Sequence, residues 1–149
     1  VVSRREESGG NDVVSRAAMH SRCKVLVADD NRDAAETLAM VLRVSGHQVS
    51  VAHCGEEALQ VAQRERHAAF VLDIGMPDLT GHELARRLRQ EAWGRHALLV
   101  ALTGWGQDED KERSRAAGFD HHLTKPVDAE KVEELLRSFL ETRPTRLSG

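Results

Sequence analysis

No apolar run in this chain approaches the roughly 18 residues that a membrane-crossing helix needs. The N-terminal Val-Val-Ser-Arg-Arg-Glu-Glu-Ser-Gly-Gly also lacks the apolar core of a signal peptide. Neither charge sign dominates. Charged residues make up 30% of the chain and the net charge is −3, so nothing electrostatic favours nucleic acid or an anionic membrane surface. Cysteine is scarce: Cys23 precedes the first expected strand and Cys54 follows the second. On neighbouring parallel strands their sulfurs sit at opposite ends of the sheet, too far apart to bridge. Free thiols suit a reducing compartment. A soluble, cytoplasmic domain is expected, and 149 residues suffice for one real core. Internal repeats, low-complexity tracts and hairpin signals are missing too, as is any Gly-rich phosphate loop, so the chain by itself is not expected to bind ATP.

What is present, from Cys23 onward, is a regular alternation. Strands are expected at Lys24 to Ala28, Gln48 to Ala52, Ala68 to Asp73, Ala97 to Leu102 and His121 to Thr124. Between and after them lie five helices. The first, capped by Asn31 or Asp30, runs to about Ser45 with Ala35, Leu38, Val41 and Leu42 inward, and Gly46 stops it. The second, Glu56 to Arg66, turns Ala58, Val61 and Ala62 inward; the third, His82 to about Glu91, turns Leu84 and Leu88 inward. The fourth, Asp108 to Ala117, is nearly all charge, with Ala116 and Ala117 alone to bury, so weak anchorage is expected. The fifth, about Asp128 to Thr142, carries a stripe of Val132, Leu135, Leu136, Phe139 and Leu140. Five β-α units without hairpins mean a parallel sheet covered on both faces: a flavodoxin-like (βα)5 doubly wound fold of strand order 2-1-3-4-5. Residues 1–22 read as a tail or linker, with a short helix over Val13 to Met19; 23–143 read as the domain and 144–149 as a C-terminal tail.

The centre of this arrangement is Phe70-Val71-Leu72-Asp73-Ile74-Gly75-Met76-Pro77-Asp78, where an apolar run ends in a carboxylate and the chain turns away. Ligands of open α/β sheets bind at that edge. Other strands end there in Asp29-Asp30, Thr103 and Lys125. With neighbouring strands about 4.8 Å apart, the aspartates and Thr103 flank Asp73, and Lys125 starts roughly 10 Å away, within reach of a long side chain. Three converging carboxylates resist full ionisation unless a cation joins them, and hard oxygen donors suit Mg²⁺. Asp73 is then a nucleophile for in-line phosphoryl transfer, Mg²⁺ and Lys125 neutralise the transferring group, and Thr103 donates a hydrogen bond to it. Singly, an Asp pair caps a turn, a Thr satisfies local backbone and Lys-Pro makes a turn. Jointly, the right residue type at each strand end points to a site.

Residues 23 to about 142 resemble the receiver domain of two-component response regulators. The resemblance is carried by Val-Leu-Val-Ala-Asp-Asp-Asn, Leu-Asp-Ile-Gly-Met-Pro-Asp-Leu-Thr-Gly, Ala-Leu-Thr-Gly and Leu-Thr-Lys-Pro. It implies that Asp73 accepts a phosphoryl group from a phosphohistidine on a histidine kinase or histidine phosphotransfer protein. It also implies Mg²⁺ held by Asp29, Asp30, Asp73 and the Gly75 carbonyl, phosphoryl contacts from Thr103 and Lys125, and a cis Lys125-Pro126 peptide. Where the family's switch aromatic stands, this chain has His122, whose packing energy is smaller and whose charge follows pH. Thr80 replaces an Asp common before Gly81, a change expected to matter little, and Trp105 stands where bulk could shield an acyl phosphate.

The expected output is a switch in which Thr103 and His122 move and the face of the fourth helix, fifth strand and fifth helix is offered to a partner, a homodimer included. By the resemblance, the domain is expected to catalyse only its own phosphorylation and dephosphorylation. Gly-Trp-Gly-Gln-Asp through Leu-Thr-Lys-Pro-Val-Asp is similar to receivers at the C-terminus of hybrid sensor histidine kinases. With the non-Met start, this favours a hybrid-kinase fragment over a stand-alone regulator. Direct contacts with nucleic acid or membrane are not expected.

Other classes fit less well. A flavin-binding relative of the fold needs a Ser/Thr/Gly loop after the first strand, where Asp29-Asp30-Asn31-Arg32 has the wrong charge. A phosphohydrolase favours a carboxylate two residues past the nucleophile, where Gly75 stands. A degenerate receiver that serves only for docking would lack part of the acid-Thr-Lys set. His67, His82, His96, His121 and His122 have no metal-ligand spacing and are expected to be exposed or half-buried; His20 and His47 are isolated, and His53 lies near the acidic end without an assigned role.

Overall fold

The protein is described here by a computed structural model covering residues 22–104 and 108–142, with the backbone alone for 108–111. The helix expected over Val13 to Met19, both tails, His20 and Trp105 lie outside the described residues.

Five parallel strands form one sheet: β1 (Lys24–Ala28), β2 (Gln48–Ala52), β3 (Ala69–Asp73), β4 (Leu98–Thr103) and β5 (His121–Thr124), in the order β2-β1-β3-β4-β5. This is the flavodoxin-like arrangement expected. β1, β3 and β4 are near-continuous apolar runs because both faces of the sheet are covered. In register, Leu26 pairs with Phe70 and Phe70 with Leu99. Alternation along each strand then sends residues to two cores. Leu26, Phe70, Leu72 and Leu99 pack with helices α2 (Gly55–Glu65) and α3 (Gly81–Gln90). Val25, Val27, Val71, Val100 and Leu102 pack with α1 (Arg32–Val44) and α5 (Ala129–Thr142). Each fully buried large apolar side chain contributes about 1.5–3 kcal/mol.

Three inward assignments differ from expectation. In α1 the buried set is Ala35, Leu38, Ala39 and Leu42, while Val41 is 38% exposed. The i, i+3, i+4, i+7 stripe runs through Ala39, and Val41 falls beside it. In α4 (Asp108–Ala117), Ala116 faces solvent and Ser114 is buried with Ala117. The Ser114 hydroxyl makes this tolerable through a 3.1 Å bond with His82 Nε2. His67, expected to be exposed or half-buried, is buried, and so is His47, read from the sequence as isolated. His67 Nε2 reaches Ser50 Oγ at 3.0 Å and Glu65 Oε1 at 3.3 Å, and His47 Nδ1 accepts from the Cys23 amide at 3.1 Å.

Two features at helix ends escaped sequence reading. Arg66 ends α2 in the left-handed region, with φ 55°. A 3-10 turn, Ala92–Gly94, follows α3. The Arg89 guanidinium ties that turn to the α4–β5 connection, donating to the carbonyls of Gly94, Arg95, Ala97 and Gly118 and to Asp120 Oδ2. Both cysteines are half-buried. No helix of the described residues is long and apolar enough to cross a membrane.

Candidate functional site

The C-terminal edge of the sheet collects the side chains singled out from sequence. Asp73 ends β3 and pairs with Leu102 of β4, so Thr103 lies one step further along the neighbouring strand. Asp29 follows β1, held by its amide to Ala52 O at 3.1 Å; Lys125 follows β5, its amide bonded to Thr103 O at 2.8 Å. Carboxylate oxygens of Asp29, Asp30 and Asp73 all lie within 4.8 Å of one another. Asp29 and Asp73 are buried and Asp30 is exposed. The Lys125 ammonium stands 3.1 Å from Asp73 Oδ2 and 3.3 Å from Asp29 Oδ2. The long lysine stem thus closes the gap left by its distant strand.

Each charge is set by its surroundings. Burial pushes the Asp29 carboxyl above the ordinary value, and the Asp73 carboxylate beside it adds to the rise, against the Asn31 amide and Lys125. Burial would raise Asp73 as well. The Gly75 amide, 2.9 Å from Oδ1, and the Lys125 ammonium at Oδ2 outweigh it and hold Asp73 below the usual range. Lys125 is raised despite desolvation, because Asp73 and Asp29 face it. The two oxygens of Asp73 therefore have different partners: a backbone amide for one, an ammonium for the other.

The remaining expected residues lie around this cluster. Thr103 is buried, and its hydroxyl reaches Leu123 O at a long 3.5 Å. His122 is half-buried on β5, next to Leu123. The Lys125-Pro126 peptide is cis, as the resemblance implied. Gly75 is exposed in the loop after Asp73. Trp105 lies outside the described residues.

Three neighbours carried no assigned role from the sequence. His53 sits with Nδ1 3.3 Å from Asp29 O and Nε2 3.5 Å from Glu36 Oε2. Asp78 accepts from the Gly55 and Glu56 amides, both at 3.0 Å. Thr80, expected to matter little, is the N-cap of α3, accepting from the Glu83 amide at 3.2 Å. Pro-Asp in a loop reads as a turn, and the partners of Asp78 lie 22 and 23 positions away, so no local pattern announces them.

A cluster of three carboxylates, one of them pushed up by burial, fits a hard divalent cation bound through oxygen. Lys125 supplies one positive charge against the three carboxyl groups. The cation would be held by Asp29, Asp30 and Asp73.

Both the sequence and the fold match known proteins. The profile of the response regulator receiver domain matches residues 25–137. The response regulator MprA of Mycobacterium avium is 35% identical over 122 residues, which cover 81% of this chain and 53% of MprA. The chain spans about half the length of this and several other curated relatives that it matches. Among solved structures, the chemotaxis response regulator CheY4 of Vibrio cholerae superposes with a TM-score of 0.74 at 29% identity, covering 79% of this chain and 98% of that one. The receiver domain of a sensor histidine kinase from Pseudomonas aeruginosa PAO1, solved with a magnesium ion coordinated in its active-site cleft, gives 0.73 at 27% identity, covering 80% and 98%.

Proposed function

The chain belongs to the response regulator receiver domain family, the phosphoacceptor modules of two-component systems, and we propose that Asp73 is its phosphoacceptor. The observation that carries this reading is the ammonium of Lys125 placed 3.1 Å from Asp73 Oδ2 beside the paired acids Asp29 and Asp30. The donor is a phosphohistidine on a histidine kinase or histidine phosphotransfer protein. An Asp73 carboxylate oxygen forms the new P–O bond as the P–N bond breaks; the electron pair leaves with the donor imidazole, which takes up a proton. Asp29, Asp30, Asp73 and the Gly75 carbonyl would hold Mg²⁺, which when bound would supply charge neutralisation for the transferring oxygens. Lys125 neutralises the same oxygens, and the Thr103 hydroxyl exchanges its long contact with Leu123 O for a bond to the phosphoryl group.

The Thr103 movement opens space that half-buried His122 fills, and the α4–β5–α5 face is the surface that changes. Its partners are other proteins, a second copy of the chain among them, in the cytoplasm. The parent is a hybrid sensor kinase or a stand-alone regulator. Intact mass after incubation with acetyl phosphate and Mg²⁺ tests the assignment. One added phosphoryl group is expected, absent from Asp73→Asn and absent without Mg²⁺. Labelling that survives Asp73→Asn would move the acceptor elsewhere; no labelling from acetyl phosphate or from a phosphohistidine donor would leave a docking role.

A further inference from the structure

We propose that Asp78 is a positioning residue for Asp73, pinning the loop of residues 74–80 to the N-terminus of α2 so that the Gly75 backbone stays on the Asp73 carboxylate. This rests on the phosphoacceptor reading of the same site. A helix N-terminus leaves amides without intrahelical partners, and α2 does not satisfy them from its own cap: Cys54 makes no side-chain cap bond. Both oxygens of Asp78 do so from across the loop, one on Gly55 N and one on Glu56 N. These two amides pull its carboxyl down to about 2, so the clamp is ionised throughout the neutral range.

Two further fastenings make the clamp matter. Leu79 is buried directly against Gly55, where an added methyl would stand 2.4 Å from the Leu79 Cβ and carbonyl oxygen. At the far end, Gly81 N donates to Ile74 O at 3.4 Å, and a methyl on Gly81 would stand 2.8 Å from Asp73 O. Thr80 caps α3 at that end. The loop is thus held at Asp78-Leu79 and at Gly81, with Met76 also buried in the core and exposed Gly75 as its outer bend. Gly75 N in turn holds Asp73 Oδ1 at 2.9 Å and leaves Oδ2 to Lys125. If Asp78 lets go, that amide drifts, and the carboxylate loses the orientation in which its two oxygens serve two different partners.

Mn²⁺ binding by electron paramagnetic resonance on the full chain tests this, with the Mg²⁺ dependence of acetyl phosphate labelling alongside. Asp78→Ala is expected to weaken Mn²⁺ binding about tenfold, the low end for an outer-shell partner, and to raise the Mg²⁺ needed for half-maximal labelling by the same factor. Asp78→Asn keeps one acceptor and should recover part of the loss; it also carries the test if the alanine variant does not fold. Glu57→Gln is the control, since Glu57 lies at the same helix end but accepts from the His53 amide, which precedes the helix, rather than from an amide that Asp78 holds. Unchanged Mn²⁺ binding in the Asp78 variants, equal weakening in Glu57→Gln, or no Mn²⁺ binding by the unaltered chain would each overturn the proposal. If the unaltered chain binds Mn²⁺ but takes no phosphoryl group, the phosphoacceptor reading fails while the Mn²⁺ series still decides the role of Asp78.

Discussion

The Lys125 ammonium lies 3.1 Å from Oδ2 of Asp73, although β4 separates the strands that carry the two residues. It also lies 3.3 Å from Asp29 Oδ2, so one cation serves two buried carboxylates. Its removal leaves both uncompensated, at the point where negative charge accumulates during transfer. Lys125→Met is expected to slow acetyl phosphate labelling about a hundredfold, the effect of deleting one preorganised charge-stabilising donor. The Asp73 titration midpoint, followed by carboxyl carbon NMR, should move up. A labelling rate within a few-fold of the parent would show that Lys125 is structural.

Asp29 contributes in the opposite sense to stability. Its folded value is raised, chiefly by burial, so its stabilising contribution is present below its unfolded value, about 3.9, and is lost as pH rises through the folded value. At neutral pH the ionised group is a liability that a bound cation relieves. Asp29→Asn should therefore raise the Tm of the metal-free chain while abolishing the further rise on adding Mg²⁺. A lower metal-free Tm would place the larger cost in the lost bond from the Asn31 amide.

His67 and His47 should make the domain acid-sensitive well above the carboxylate range. Burial lowers both imidazoles, against Glu65 beside His67 and Glu133 beside His47, and with help from Lys24 and Arg22. Depressed values mean that the unfolded chain binds protons first, so stability present above about pH 6.5 is lost as pH falls from there through the folded values. Each histidine contributes at most about 1.4 kcal/mol per pH unit. Urea unfolding between neutral pH and about 5.5 should show this slope, and His67→Gln should flatten it. An unchanged slope would assign it to other groups.

Arg66 occupies left-handed backbone at the end of α2 with φ 55° and ψ 64°. A side chain there costs about 1 kcal/mol that glycine avoids. Arg66→Gly is expected to raise the denaturant midpoint accordingly; a fall would mean that the arginine side chain contributes more than the backbone strain costs.

The fold was legible because buried parallel strands are apolar runs that stop at Asp, Thr or Lys, and because Asn31 and Gly46 punctuate the first helix as local chemistry demands. Leu26, Phe70 and Leu99 follow from that pattern without any tertiary knowledge. Val41 and Ala116 were misassigned because a residue just off the inward stripe looks apolar enough to be on it. Ser114 was missed because burial of a hydroxyl depends on His82, which comes from another helix. Asp78 shows the same limit more sharply: its partners are backbone amides, which every sequence has everywhere.

Asp29 and Lys125 meet across a separation of 96 positions. Every strand between them in the sheet is parallel, so the site closes only through non-local crossovers. Such non-local closure is slow relative to helix formation. No fragment shorter than residues 29–125 carries the acidic edge together with its ammonium. In a refolding reaction, the ability to take a phosphoryl group should therefore appear after most of the helical signal, and chemical competence becomes a clock for the arrival of the last strand.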